Sequence, residues 1–269
     1  MIAPRKSLGQ NFLRDENVAR KIVEHLNPKR DDILLEIGPG TGALTEHLAG
    51  TVRSFIAVEI DERSMELLRG RFQNVEFLLK DILEVRLRDI HDRFGRKIRI
   101  AGNIPYYITS EILFWLLDQR LWVEDALLMM QWEVARRLTA RPRTKDYGIL
   151  SVVTQLYAAP AIAFRVSRNS FFPRPAVDSA IVHLQIRPHV SLHDEQLLRN
   201  VVRGTFGKRR KTLMNGLKYM GYAEDRLKSL DFDLGRRPEE LSVDEFLELT
   251  SKLGTPAAGR KMSTLPQDQ

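Results

Sequence analysis

The segment Asn103-Ile104-Pro105-Tyr106 combines residue types that can act on an aromatic amine. The nitrogen of such an amine is a weak nucleophile because its lone pair is delocalised into the ring. The side-chain oxygen of Asn103 and a backbone carbonyl beside Pro105 could accept hydrogen bonds from both amine hydrogens and aim the lone pair at an activated methyl group. Pro105 would fix the turn, and Tyr106 would offer a ring face for a base. The segment therefore predicts methyl transfer to a nucleobase amine, against the alternative of a proline-terminated strand with one buried tyrosine.

A glycine-rich turn at 38–42 and two later acids predict a ligand site. A turn of this kind after the first strand of a parallel sheet lets the backbone approach a ligand at a helix N-terminus. Its spacing differs from the G-x-G-x-x-G of NAD-binding proteins, so the turn does not name the ligand. Glu59, 21 residues after Gly38, could hold both hydroxyls of a ribose, in NAD or in S-adenosylmethionine. Asp81 could accept from an adenine amine, although alone it is typical of a turn or cap.

These residues can meet only if strand ends share one edge of a sheet. Short apolar runs alternate with segments of helical spacing up to residue 187, which predicts an α/β fold with a Rossmann-like, doubly wound, mostly parallel sheet. The predicted strands are 33–37, 54–60, 75–79, 98–101, 126–130 and 180–186. Segment 148–158 is predicted to be helical, as are 194–206, 210–220, 223–229 and 243–253. We therefore expect a ligand-binding catalytic domain over 1–187, a small all-helical domain over 188–253 and a disordered tail over 254–269.

Positive charge is concentrated in the expected helical domain. The 269 residues include 42 Lys and Arg against 35 Asp and Glu, a net charge of +7. Residues 187–237 alone hold 12 basic and 6 acidic side chains. This predicts a polyanion-binding surface, with solvated helix faces as the ordinary alternative. The densest part is predicted to open the second helix of the domain, where cations are disfavoured unless a phosphate binds. The predicted RNA contacts are Lys208, Arg209, Arg210 and Lys211.

Composition excludes several other classes of site. The chain has no cysteine, which rules out disulfides, thiolate zinc sites, iron–sulfur clusters and a cysteine nucleophile. Its six histidines are scattered without metal-ligand spacing, so no metal site is expected. Apolar runs reach about six residues, far below the roughly 18 needed to span a membrane, and the N-terminus has no apolar signal core. We expect a soluble, cytoplasmic protein without a membrane partner.

Several separated motifs together resemble one family, the small-subunit ribosomal RNA adenine N6,N6-dimethyltransferases, which are class I methyltransferases. The motifs are KSLGQNFL (6–13), EIGPGTGALT (36–45), VEID (58–61), KDIL (80–83), NIPYYITSEIL (103–113) and FFPRPAVDSAIVHL (171–184). They follow the family order across residues 5–250. Relatives that methylate large-subunit rRNA share the first motifs, but GQNFL, F-x-P-x-P-x-V-x-S and the helical C-terminal segment resemble the small-subunit branch more.

The resemblance implies S-adenosylmethionine as the cofactor and assigns a contact to each matching residue. Asn11 and Leu13, on the N-terminal arm, would close over the cofactor. Gly38 would pack against its methionine portion, Glu59 would bind the ribose hydroxyls and Asp81 the adenine amine.

The resemblance also implies a target. Asn103 would touch both the cofactor and the target base, and Tyr106 and Phe171 would flank that base. The family reaction adds two methyl groups to each of two adjacent adenines in a hairpin loop near the 3′ end of small-subunit rRNA. The expected partner is therefore this rRNA within a pre-ribosomal small subunit. We also expect the protein to be a monomer and its activity to be coupled to small-subunit assembly.

Three other functions remain open at the level of sequence. A DNA adenine methyltransferase would share the N-x-P-Y chemistry. An NAD-dependent dehydrogenase would need a catalytic His/Arg/Asp set, which residues 187–253 do not supply in recognisable form. A non-catalytic RNA-binding assembly factor would keep the basic helices but could lose Asn103 or Tyr106, both of which are present.

Overall fold

The computed structural model of the chain describes residues 2–187, 195–208 and 210–254. Its residues divide into two compact units. The first contains the described residues of 1–139 and 157–189, and the second those of 140–156 and 190–269. The domain boundary expected after residue 187 is close to the division at residue 189. Residues 140–156, which were expected in the first domain, belong to the second unit. The tail expected over 254–269 lies, apart from Gly254, outside the described residues.

A seven-stranded sheet is the centre of the first unit as described. Its strand order is β4-β3-β2-β5-β6-β9-β7. Strands β2 to β6 run parallel, whereas β9 pairs antiparallel with β6 and with β7. The strands of this sheet are β2 (Ile33–Ile37), β3 (Ser54–Glu59), β4 (Glu76–Leu79), β5 (Ile98–Asn103), β6 (Val123–Gln131), β7 (Ala158–Val166) and β9 (Ser179–Ile186). The predicted fold class is confirmed.

Helices cover the sheet and give its central strands two buried faces. They are α1 (Glu16–Leu26), α2 (Thr45–Leu48), α3 (Glu62–Arg71), α4 (Leu87–Phe94), α5 (Thr109–Asp118) and α6 (Trp132–Leu138). Every residue of β2 is buried, and apart from Glu36 its side chains are apolar on both faces and do not alternate with polar ones. Every helix that the structure describes is too short or too polar to span a bilayer.

Strand β7 was not predicted from the sequence. Its residues AAPAIAFRV are mostly small, and Pro160 lies within them. Because proline cannot donate to a strand ladder, it is tolerated at a sheet edge, and β7 is the edge strand beside β9. The preceding helix α7 (Ile149–Tyr157) matches the predicted 148–158.

A two-stranded sheet ties the N-terminal arm to the segment before β9. Strand β1 (Phe12–Leu13) pairs antiparallel with β8 (Phe171–Phe172), with Phe12 opposite Phe172 and Leu13 opposite Phe171. The pairing continues one residue further, since the Arg14 amide donates to the Ser170 carbonyl at 2.8 Å. The arm is therefore held to the body of the first unit by backbone hydrogen bonds.

The second unit is helical in its described residues. After α7 it contains α8 (Glu195–Phe206), α9 (Leu213–Tyr219), α10 (Glu224–Lys228) and α11 (Val243–Leu253). Short 3-10 turns occur in the two units at Lys6–Leu8, Ile82–Glu84, Tyr106–Ile108, Arg120–Trp122, Arg168–Ser170 and Pro238–Glu240. Tyr147 explains why 140–156 belongs here. It is fully buried, its hydroxyl donates to the Leu241 carbonyl at 2.8 Å, and its ring packs 6.2 Å from that of Phe206.

The basic segment does not open a helix as predicted. Helix α9 begins at Leu213, and Lys208, Arg210 and Lys211 lie in the turn before it, where the Lys211 amide donates to the Lys208 carbonyl at 2.7 Å. Consecutive cations oppose the positive end of a helix dipole, and the turn keeps them out of the first helical positions. All three are exposed, and Arg209 lies outside the described residues.

Candidate active site at the carboxyl edge of the sheet

A cavity of about 250 Å³ lies beyond the carboxyl ends of β2, β3 and β5. Ligands of open α/β sheets bind at this edge. Six of the residues predicted from the sequence line the cavity together: Asn11, Gly38, Glu59, Asp81, Asn103 and Tyr106. Their convergence follows from the parallel register, which brings the ends of neighbouring strands to one edge.

The glycine turn forms one wall of the cavity and contacts the arm. Gly40 has φ +58, and a Cβ added there would lie 3.0 Å from the Phe12 ring. The backbone conformation and the close approach of Phe12 both require glycine at this position. An added Cβ at Gly38 would meet only the Asn103 carbonyl, at 3.9 Å, so the turn leaves open space towards the end of β5.

Glu59 is a buried carboxylate held by the backbone. Its Oε2 accepts from the Gly40 amide at 3.0 Å, and its Oε1 accepts from the amides of Ile60 and Asp61, both at 2.9 Å. Burial raises the pKa of Glu59, and these three hydrogen bonds partly offset the increase. Because a carboxylate has about four acceptor positions, one remains, on Oε2.

Asp81 caps a turn and also lies at the cavity. Its Oδ1 accepts from the Leu83 amide at 2.9 Å and caps the 3-10 turn that follows β4. The residue also lines the cavity, and no described residue donates to its Oδ2. One oxygen is therefore used by the turn, and the other is available to a ligand.

Asn103 ends β5, and its amide is oriented by the arm. Its Nδ2 donates to the Asn11 carbonyl at 2.9 Å, and no described residue donates to its Oδ1. The next residue, Ile104, donates its backbone amide to the Met129 carbonyl at 3.2 Å, which extends the pairing with β6 into the motif. The side-chain oxygen, which the sequence predicts to accept from a target amine, is therefore the atom without a partner among the described residues.

Tyr106 presents its ring while its hydroxyl is bound elsewhere. The hydroxyl lies 2.6 Å from Ser179 Oγ, and Ser179 is fully buried at the start of β9. Burial raises the pKa of Tyr106, so the phenol stays neutral at physiological pH. The hydroxyl therefore anchors the side chain to β9, while the residue lines the cavity.

Leu13 and Phe171 do not line the cavity. They lie opposite each other in the β1–β8 ladder and are 5% and 4% exposed, within the core cluster that includes Ile22 and Met129. The role expected for Phe171 beside a target base stays a prediction, and this structure places the side chain in the core and not in the cavity wall. Successive side chains of a strand point to opposite sides, and here Phe171 faces the core while Phe172 is 45% exposed.

A clasp that the sequence did not reveal fixes the arm across the cavity. Gln10 donates through Nε2 to Asp61 Oδ2 at 2.9 Å, and its Oε1 accepts from the Arg5 amide at 2.8 Å. The Asp61 side chain is fully buried beside Arg63. Hydrogen bonds from Arg63 and Gln10 lower the pKa of Asp61 to about 2. The clasp is thus made by an ionised carboxylate at neutral pH.

Tyr107 is a further lining residue that the sequence reasoning missed. Its ring is more than half exposed and packs so closely on the arm that a Cβ added at Gly9 would lie 2.8 Å from it. The doubled tyrosine in NIPYY was the available signal. Among the described residues, no group of three His, Cys, Asp or Glu side chains is arranged to hold a metal ion.

The fold and this site define a class I methyltransferase. A dimethyladenosine transferase from Plasmodium falciparum superposes with a TM-score of 0.74 at 27% identity, covering 90% of this chain and 98% of that chain. A 23S rRNA methyltransferase, ErmE, superposes with a TM-score of 0.68 at 30% identity, covering 90% and 99% of the two chains.

The model of the ribosomal RNA adenine dimethylase family matches residues 1–253, and the chain belongs to that family. A relative named ribosomal RNA small subunit methyltransferase A, from Chlorobium phaeobacteroides (strain BS1), is 46% identical over 252 residues, covering 94% of each sequence. A relative of the same name from Bacillus mycoides (strain KBAB4) is 42% identical over 268 residues, covering 93% of this chain and 91% of its own length. The family resemblance seen in the sequence is confirmed.

Proposed function

We propose that this chain transfers methyl groups from S-adenosylmethionine to the N6 amines of two adjacent adenosines in the 3′-terminal hairpin loop of small-subunit rRNA. The observation that carries the proposal is the oriented amide of Asn103, whose Nδ2 is held by the arm at 2.9 Å. The identity to relatives named for the small subunit, 42–46%, exceeds the 30% to the 23S rRNA enzyme and favours the small-subunit branch.

The residues around the cavity suit S-adenosylmethionine. The open space above Gly38 fits the methionine portion, the remaining acceptor position of Glu59 fits a ribose hydroxyl, and Asp81 Oδ2 fits an adenine amine. When bound, the cofactor supplies an electrophilic methyl group on a sulfonium. Asn11 lines the cavity from the arm, so an arm held by the clasp excludes water from the bound cofactor.

The chain's own groups would prepare the target amine. Asn103 Oδ1 accepts one amine hydrogen, and the Ile104 carbonyl, which precedes Pro105, accepts the other. The Pro105 carbonyl is already occupied by the Thr109 hydroxyl at 3.1 Å. Two acceptors hold the nitrogen with its lone pair directed at the methyl group, and the Tyr106 ring supports the base. The methylated amine then loses its proton to solvent, so no strong general base is needed.

RNA affinity would come in part from the exposed turn before α9. Lys208, Arg210 and Lys211 are exposed there, and together with Arg209 they would bind phosphates without reading sequence. In this proposal the chain acts in the compartment where small subunits are assembled. A cytoplasmic location, a monomeric state and a coupling to assembly stay predictions.

The proposal is tested by offering labelled S-adenosylmethionine together with small subunits that lack the modification, large subunits and duplex DNA in parallel. Nucleoside analysis should recover label as N6,N6-dimethyladenosine from the small subunits alone. Label in large-subunit rRNA or in DNA, or none in any substrate under conditions where the cofactor binds, would refute it.

A further inference from the structure

An exposed aromatic ring beside the active site is paired with a guanidinium. Phe172, in β8, is 45% exposed. The guanidinium carbon of Arg14 lies 4.0 Å from the centroid of its ring. A guanidinium at this distance is held by the ring quadrupole. Because nearly half of the Phe172 surface is exposed beside this contact, a planar ligand can reach the ring.

The position of this pair is coupled to the catalytic amide. Phe172 lies opposite Phe12 in the β1–β8 ladder, and Phe12 follows Asn11, whose carbonyl holds Asn103. Arg14 is held to the same ladder through its amide and the Ser170 carbonyl. A ligand on Phe172 is therefore placed by the same short backbone segment that orients the amide of Asn103.

The surroundings of Phe172 are basic, whereas two of the groups at the cavity are carboxylates. Arg168 and Arg174 are exposed on either side of β8. Two acids lie nearby and both are engaged. Asp178 is bound by Arg165 at 2.7 Å and by the Arg168 amide at 3.0 Å, and Asp15 accepts from the Ser170 hydroxyl at 3.1 Å. Arg174 has no ion pair within the described part of the chain. Phosphates are attracted to this rim and repelled by Glu59 and Asp81 at the cavity.

We propose that Arg14 and Phe172 form a stacking platform for the adenine that neighbours the target adenosine in the RNA, with Arg168 and Arg174 on the adjoining phosphates. The proposal rests on the proposed function. Bases drawn out of a loop stack on aromatic rings and on guanidinium planes. Since two adjacent adenines are to be modified, the platform holds one of them while the other occupies the cavity.

The test compares wild type with Phe172→Ala, Phe172→Trp and a matched control, Leu121→Ala, which removes another exposed apolar side chain of the first unit. Substrates are small subunits lacking the modification. Because stacking on an aromatic ring contributes to the binding of an unpaired base, Phe172→Ala should raise the KM for the particle about tenfold. It should also leave a larger share of particles modified at one adenosine only. Phe172→Trp should behave as wild type, and cofactor affinity by calorimetry should be unchanged in every variant.

A result in which Phe172→Ala matches Leu121→Ala in KM and in product distribution would overturn the platform while leaving the proposed function intact. Failure of the wild type to modify the particle would instead overturn the proposed function. If thermal denaturation shows that Phe172→Ala is poorly folded, a photoreactive Phe172→p-benzoylphenylalanine variant tests whether this position contacts the hairpin loop. Cross-links to the hairpin loop support the platform, and cross-links only to ribosomal protein or to distant rRNA contradict it.

Discussion

The side-chain amide of Asn103 donates to the backbone carbonyl of Asn11 at 2.9 Å. This hydrogen bond joins the end of β5 to the N-terminal arm, 92 residues away in sequence. It fixes the orientation of the amide, and because no described residue donates to Oδ1, that oxygen is left open as an acceptor. The position of the arm and the orientation of the Asn103 amide are therefore linked through one hydrogen bond.

The clasp between Gln10 and Asp61 should control cofactor affinity. Gln10→Ala removes a hydrogen bond to a buried carboxylate, and such bonds contribute about 1.5–3 kcal/mol. We expect the KM for S-adenosylmethionine to rise by about tenfold to a hundredfold, with faster proteolysis and amide exchange across residues 5–13 in the cofactor-free protein. Gln73→Ala, which removes an exposed glutamine, is the matched control. Unchanged exchange of the arm in Gln10→Ala would show that the clasp does not hold it.

The hydroxyl of Tyr106 should matter for stability and little for catalysis. Tyr106→Phe and Ser179→Ala each break the 2.6 Å hydrogen bond between these side chains and should each lower the free energy of unfolding by about 1–2 kcal/mol. Because both remove the same interaction, the double variant should lose less than the sum. Methyl transfer should persist in Tyr106→Phe and be lost in Tyr106→Ala. Equal inactivity of the two Tyr106 variants would assign the hydroxyl a chemical role.

Glu36 should make stability fall as pH rises. Burial, opposed by a hydrogen bond from Thr45 and reinforced by Glu59, raises the pKa of Glu36 from 4.5 to about 8. Between these values the unfolded chain has lost the proton that the folded chain keeps, so folding is progressively disfavoured. Glu36→Gln should therefore gain stability over wild type from pH 5 to 8, by at most about 1.4 kcal/mol per pH unit, and then level off. A difference that does not vary with pH, measured by urea unfolding, would mean Glu36 is ionised throughout.

The basic turn should contribute salt-dependent RNA affinity. Replacing Lys208, Arg209, Arg210 and Lys211 with glutamine should flatten the plot of log affinity against log salt by about 0.7–0.9 for each phosphate that the turn no longer binds. Cofactor affinity should be unchanged. An equal loss of charge at Arg86, Arg88, Arg93 and Lys97, on and around α4, is the control. If the plots of log affinity against log salt had the same slope for wild type and the turn variant, these residues would be solvent-exposed charges that do not bind RNA phosphates.

Much of the site could be predicted because parallel strands bring their ends together. The bounds of β2, Ile33–Ile37, were predicted correctly, since a strand buried on both faces is mostly apolar along its whole length. Glu59 and Asn103 are the last residues of β3 and β5, and Asp81 comes two residues after β4. The parallel arrangement of these strands places the three residues at one edge.

Other features depend on information that local patterns do not hold. Gln10 and Asp61 pair across 51 residues, and nothing near either residue indicates the other. If 171–172 is a strand, one of its two phenylalanines faces the core. Which one does so depends on the pairing with β1, and the structure shows that it is Phe171. Strand β7 was not predicted because alanine is depleted in strands and because proline is tolerated in a sheet mainly at an edge strand.

In the proposed function, Asn103 activates the target amine. The most direct measurement is single-turnover methyl transfer to unmodified small subunits by wild type and Asn103→Ala, with particle and cofactor affinities measured in parallel. Removing a positioned acceptor of this kind should lower the rate at least about a hundredfold, while particle affinity stays within a few-fold of wild type. A rate for Asn103→Ala close to that of wild type would contradict the account.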